Sequence, residues 1–193
     1  MADFREDMFG VVVITTGGND VIHDYGRTPP RDGAMYGATL EQAKPWIEAF
    51  EGRLAAILDG VEAHFPGGCE IFLANIYDPT DGAGDIENAG LGLPRWPDGM
   101  NVLRSVNDVI ARAASSRKNV HLVNIRDTFL GHGIHYRDKG NRNYHADDAS
   151  YWYYENLEDP NDTGYNAIRR LFLAEMAKVF AGREAPAAQA ETR

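Results

Sequence analysis

Two rhythms of apolar and polar positions run along the chain. Residues 11–15 (VVVIT) form an unbroken apolar, β-branched run. It has no alternation, so it predicts a strand covered on both faces, as in a parallel sheet. Trp46, Ile47, Phe50, Leu54, Ile57, Leu58 and Val61 then recur at steps of three and four. That spacing predicts an amphipathic helix. Thr39 and Gln42 read as the capping box that opens it. Pro45 falls in its early turns, and Pro66-Gly67-Gly68 ends the unit.

The pattern repeats twice more. A second strand is predicted over 70–76 and a second helix over about 100–114. A third strand follows over 120–125, and Asn161 opens a third helix that runs to about residue 180. Two stretches have no period. Residues 78–98 are rich in Gly, Asp and Pro, and residues 126–158 are dense in His, Tyr, Asp and Trp. Loops of that length in a compact domain usually serve function.

Strand and helix alternating three times predict an α/β fold with a parallel sheet. Ligands bind such sheets beyond the carboxyl ends of the strands. Here those ends lead into Gly17-Gly18-Asn19-Asp20, into Asn75-Ile76-Tyr77-Asp78, and into the loop that carries His132 and His135. Three unusual loops therefore converge on one edge.

Composition narrows the field. The chain has 193 residues, enough for one domain with a real core. We read residues 1–182 as that domain and residues 183–193, poor in bulky apolar side chains, as a disordered tail. Net charge is -10 with no Lys/Arg cluster, which argues against a nucleic-acid partner. No apolar run approaches ~18 residues, so no membrane span is expected. The first ten residues are acidic and too short for a secretory signal, so the chain as written reads as cytoplasmic. The single cysteine, Cys69, sits in an apolar run and reads as a buried filler.

Three segments resemble the SGNH (GDSL-like) hydrolase family of esterases and lipases. Gly17-Gly18-Asn19-Asp20 after a strand is similar to the family's Gly-x-Asn-Asp block. Leu73 to Asp78 looks like the strand and loop that follow it. Asp159-Pro160-Asn161-Asp162-Thr163-Gly164-Tyr165 resembles the family's last block, His-Pro-Asn-Asp-x-Gly-Tyr. The resemblance implies a three-layer, flavodoxin-like parallel sheet. It also implies acyl transfer on ester bonds, with a small-molecule ester or acylated carbohydrate as substrate and no cofactor. Asn19 then corresponds to the amide that stabilises the oxyanion, and Gly17 to the glycine of that block.

The departures from the pattern matter as much. No Gly-Asp-Ser block supplies a serine nucleophile, and no other serine lies on a strand-to-helix elbow. The fold then lacks its first strand-helix unit, and residues 11–14, from Val11 to Ile14, become a bare edge open to self-association. We expect an incomplete or inactive chain. The position of the family's histidine holds Asp159, and that of its aspartate holds Asn156. Asp159 is read either as a weak base or as the cap of the last helix, with Pro160 at its first position.

A histidine could come instead from His132 or His135. Those residues could equally bond to carbonyls and hold their loop in shape. Two other functions stay open. One is a non-catalytic carbohydrate- or acyl-binding relative, with the aromatic run Tyr151-Trp152-Tyr153-Tyr154 either stacking on a ligand or packing the core. The other is a metal-dependent hydrolase using His132, His135, His145, Asp147 and Asp148.

Overall fold

The computed structural model describes residues 4, 5 and 7–181. The tail expected over 183–193 lies outside the described residues. The fold is mixed α/β. Strand β1 is Gly10–Thr15, followed by a short helix α1, Gly18–Ile22, and a long helix α2, Leu40–His64. Then come β2, Cys69–Ala74, α3, Gly99–Ser115, and β3, Val120–Val123. A short helix α4, Ile125–Phe129, and α5, Asp162–Phe180, complete the order.

The three strands form one parallel sheet in the order β1-β2-β3. β2 is therefore the central strand, and its alternation builds two cores. Cys69, Ile71 and Leu73 face α2 and α3, joined by Val12 and Ile14 of β1. Phe72 and Ala74 point the other way, against Phe129, Trp152, Tyr153 and Phe172. The aromatic run thus packs the core through Trp152 and Tyr153.

β1 departs from expectation. Its Val11 and Val13 are 51% and 54% exposed, so only one face is covered. α5 packs over β2 and β3 and leaves the second face of β1 open. A strand apolar on both faces reads the same whether or not a helix covers it.

The expected capping box opens α2. The Thr39 hydroxyl accepts from the Gln42 amide at 3.2 Å, and Gln42 Oε1 accepts from the Thr39 amide at 2.9 Å. The buried stripe is Ala43, Ile47, Phe50, Leu54 and Leu58, and Ile57 falls outside it, exposed. Asn161 caps α5, its side chain accepting from the Thr163 and Gly164 amides at 3.0 and 3.1 Å. That corrects the reading of Asp159 as the cap and of Pro160 as the first helical residue: Pro160 precedes the cap. The Asn161 side-chain oxygen Oδ1 reaches the two amides that Asp159 stands too far upstream to satisfy.

Two buried aspartates organise the long loops. Asp78, 1% exposed, accepts from Thr80 N and Gly82 N at 2.9 and 3.0 Å. Asp81 accepts from Gly131 N, Gly133 N and His135 N, each at 2.8 Å. The loop after β2 is thereby tied to the loop after β3. Among the described residues no helix is long and apolar enough to cross a membrane.

Candidate functional site

A cleft of about 550 Å³ opens at the carboxyl edge of the sheet. It is lined by the segment after β1, the loop after β2, Ile125 after β3 and the approach to α5. The segments after β1 and β2 converge here as topology expects, while the stretch between β3 and α5 reaches the cleft only at Ile125 and at residues 157–160. Its size lies within the range of small-molecule pockets.

The first wall begins at Gly17, which turns the chain from β1 into α1. Its φ is +92°, in the left-handed region. A Cβ there would meet Phe50 Cζ at 2.9 Å. The backbone conformation and the packing both demand glycine. The turn delivers Asn19 to the cleft wall, exposed. No hydrogen bond within the described residues engages its side chain, so its amide is free to meet a ligand.

The second wall is the loop after β2. Asn107 of α3 clamps it, accepting from Ile76 N at 2.8 Å and donating to the Ile76 carbonyl at 2.9 Å. A side chain thus extends the sheet's pairing by one residue. Asn75 accepts from Arg126 N at 2.9 Å and donates to Asn124 at 2.8 Å, which binds the ends of β2 and β3 together.

The third wall, residues 156–160, is held from two sides. Tyr25 donates its hydroxyl to the Asn156 carbonyl, and Tyr77 donates to the Glu158 carbonyl. Between them Leu157 is buried with φ at +62°. Left-handed backbone at a branched residue is strained, and it persists where the surroundings over-determine it. Burial raises the pKa of both tyrosines, and the charges of Glu158 and Asp159 raise it further. The phenols therefore stay protonated donors near neutral pH.

Asp159 is exposed and lines the cleft, as Asn19 does. Its carboxylate accepts from Asn156 Nδ2 at 2.9 Å. Asn19, Gly17 and Asp159 are thus brought to one cleft. Neither His132 nor His135 is among its lining residues.

His132 is buried, its ring stacked on Trp152 at 3.5 Å between centroids and on His145 at 4.9 Å. Its Nδ1 meets the Ser150 carbonyl at 2.9 Å, and burial lowers its pKa. His135 Nε2 lies 2.8 Å from Asp85, and His145 Nε2 lies 2.9 Å from the Leu130 carbonyl. These are loop-holding contacts. Gly133 serves the same packing, since a Cβ there would meet the Pro79 carbonyl oxygen at 2.2 Å. Among the described residues no three His, Cys, Asp or Glu side chains converge as a metal site.

The other polar candidates are occupied. His64 Nδ1 meets the Gly60 carbonyl at 2.6 Å, and His121 pairs with Glu70. Cys69 is buried, which pushes its thiol pKa up and away from reactivity. Sequence reasoning missed Asn107, Tyr25 and Tyr77. Each acts across a large sequence separation, and nothing in the local pattern marks it. No protein-family model matches the chain, and no curated protein matches it either.

Proposed function

We propose that the cleft is the ester-binding site of an SGNH-type hydrolase fold, and that this chain on its own residues binds an ester without turning it over. The observation that carries the reading is the meeting of Asn19 and Asp159 in one cleft, at the carboxyl edge of a parallel sheet. In the resembled family those two positions supply an oxyanion-hole amide and the base. The finer architecture, a flavodoxin-like three-layer sheet without its first strand-helix unit, belongs to the same reading. The open edge and exposed second face of β1 support it.

The chemistry follows from the groups present. An ester carbonyl directed at Asn19 would accept its side-chain amide proton. That bond strengthens as negative charge grows on the oxygen. Asp159, oriented by Asn156, holds the sequence position that the resemblance gives to the family's base. A carboxylate is a weaker base toward an alcohol than an imidazole is. Among the described residues no Ser, Cys or His lines the cleft, so that lining supplies no activated nucleophile of the usual kind. That last observation favours a second reading, a non-catalytic binder of acyl groups or acylated carbohydrate.

The test is a pair of assays on the chain. The proposal expects no turnover of p-nitrophenyl acetate and no labelling by a fluorophosphonate. It also expects saturable binding of a neutral ester such as isoamyl acetate, weakened by Asn19→Ala. Turnover would refute the absence of a nucleophile. Absence of any ester binding would refute the site.

A further inference from the structure

The cleft's charge is one-sided. Four acidic residues line it, Asp20, Asp78, Glu158 and Asp159, and among the described residues no Lys, Arg or His does. Two of the four are compensated from behind. Asp20 pairs with Arg53 at 2.7 Å, and Asp78 lies 3.8 Å from Arg126. Among the described residues no cation pairs with Glu158 or Asp159. Both sit on the wall that leads into α5.

Two features of that wall sharpen the asymmetry. A helix start would ordinarily offer free amides and a positive dipole end to an anion. Here Asn161 consumes the Thr163 and Gly164 amides with its own side chain, and its carbonyl accepts from Tyr165 N at 2.8 Å. The ring of Tyr165, exposed on the first turn of α5, lines the cleft beside the two carboxylates. An aromatic face next to uncompensated carboxylates suits a cation and repels an anion. The chain's net charge of -10 adds a long-range field of the same sign.

We infer that the cleft selects esters by charge: it takes neutral and cationic esters, the cationic group lying toward Glu158, Asp159 and Tyr165, and rejects esters that carry a carboxylate, phosphate or sulfate. This rests on the ester-binding reading above. It adds the substrate class that reading leaves open.

The experiment is a set of NMR titrations of the chain with three acetate esters: acetylcholine as cation, isoamyl acetate as neutral reference and O-acetylglycolate as anion. At low ionic strength acetylcholine should bind at least about tenfold more tightly than O-acetylglycolate, with isoamyl acetate between them. The gap should shrink as salt screens the exposed carboxylates. Glu158→Gln and Asp159→Asn should each narrow it, with folding checked by the dispersion of the same spectra. The salt series on the unaltered chain decides the matter if a variant fails to fold. An anion that binds as tightly as the cation, with the neutral ester also bound, would overturn the charge inference and leave the ester site standing. Failure of all three esters would overturn the inference and the ester reading together.

Discussion

The side-chain amide of Asn156 donates to the Asp159 carboxylate at 2.9 Å, three residues on, just before α5. The family resemblance pairs these same two positions as aspartate and histidine. Here the contact is an amide holding a carboxylate, and both residues are exposed. Exposed contacts contribute little to stability. Asn156→Ala should therefore cost under about 1 kcal/mol in urea denaturation. A larger loss would show that this contact, rather than the tyrosine clamps, fixes the segment.

The clamps should matter more. Tyr77→Phe removes a donor from a partly buried carbonyl, and Tyr25→Phe removes one from an exposed carbonyl beside the strained Leu157. Each should cost about 1–2 kcal/mol and lower Tm by a few degrees. Both should also weaken ester binding, because the wall they hold carries Asp159. A Tm equal to that of the unaltered chain would contradict the clamp.

Alkaline pH should attack the same interactions. Burial raises the pKa of Tyr25, Tyr77 and Tyr153, and brings Tyr36 to about 12. A phenol whose pKa is higher folded than unfolded contributes stability that is full below the unfolded value of about 10. That stability is lost as pH rises through the folded value. Denaturation midpoints should fall steeply between about pH 10 and pH 12. A flat profile over that window would contradict the burial of these phenols.

Asp81 ties the two long loops through three backbone amides. Asp81→Ala would leave those donors without their acceptor, at a cost of about 3 kcal/mol or more. Asp81→Asn keeps one acceptor oxygen and should lose less. Hydrogen exchange at the Gly131, Gly133 and His135 amides should accelerate in the alanine variant. Unchanged protection there would show that the loops hold without this carboxylate.

The architecture was legible where local pattern and burial agree. The Thr39–Gln42 box, the α2 stripe and the Asn161 start of α5 follow from spacing alone. So did the convergence of the segments after β1 and β2, since parallel connections leave little choice. β1 was half legible: its sequence announces a strand but not which face is covered. Gly17, Asn19 and Asp159, singled out by their place after β1 and before α5, do meet in one cleft. The site was illegible at Asn107, Tyr25 and Tyr77, whose partners are fixed only by the fold. His132 and His135, candidate bases by sequence, are engaged by ring stacking and a loop contact.

The bare edge of β1 should show in solution. Gly10–Thr15 carries no charge and no proline, the usual guards of an edge strand. Val11 and Val13 project from its open face. Two copies paired antiparallel along this edge would satisfy the free backbone groups of both. Sedimentation velocity should show concentration-dependent association that Val13→Lys reduces. A strict monomer at high concentration would rule out the pairing.

The most direct test of the whole account is the affinity of the chain and its Asn19→Ala variant for isoamyl acetate, read by NMR shifts. The account predicts saturable shifts at Asn19, Trp96 and Asp159, which line one cleft. It also predicts a Kd raised about three- to tenfold by the substitution, the worth of one hydrogen bond. Shifts that map elsewhere, or a Kd that ignores the loss of the Asn19 amide, would contradict it.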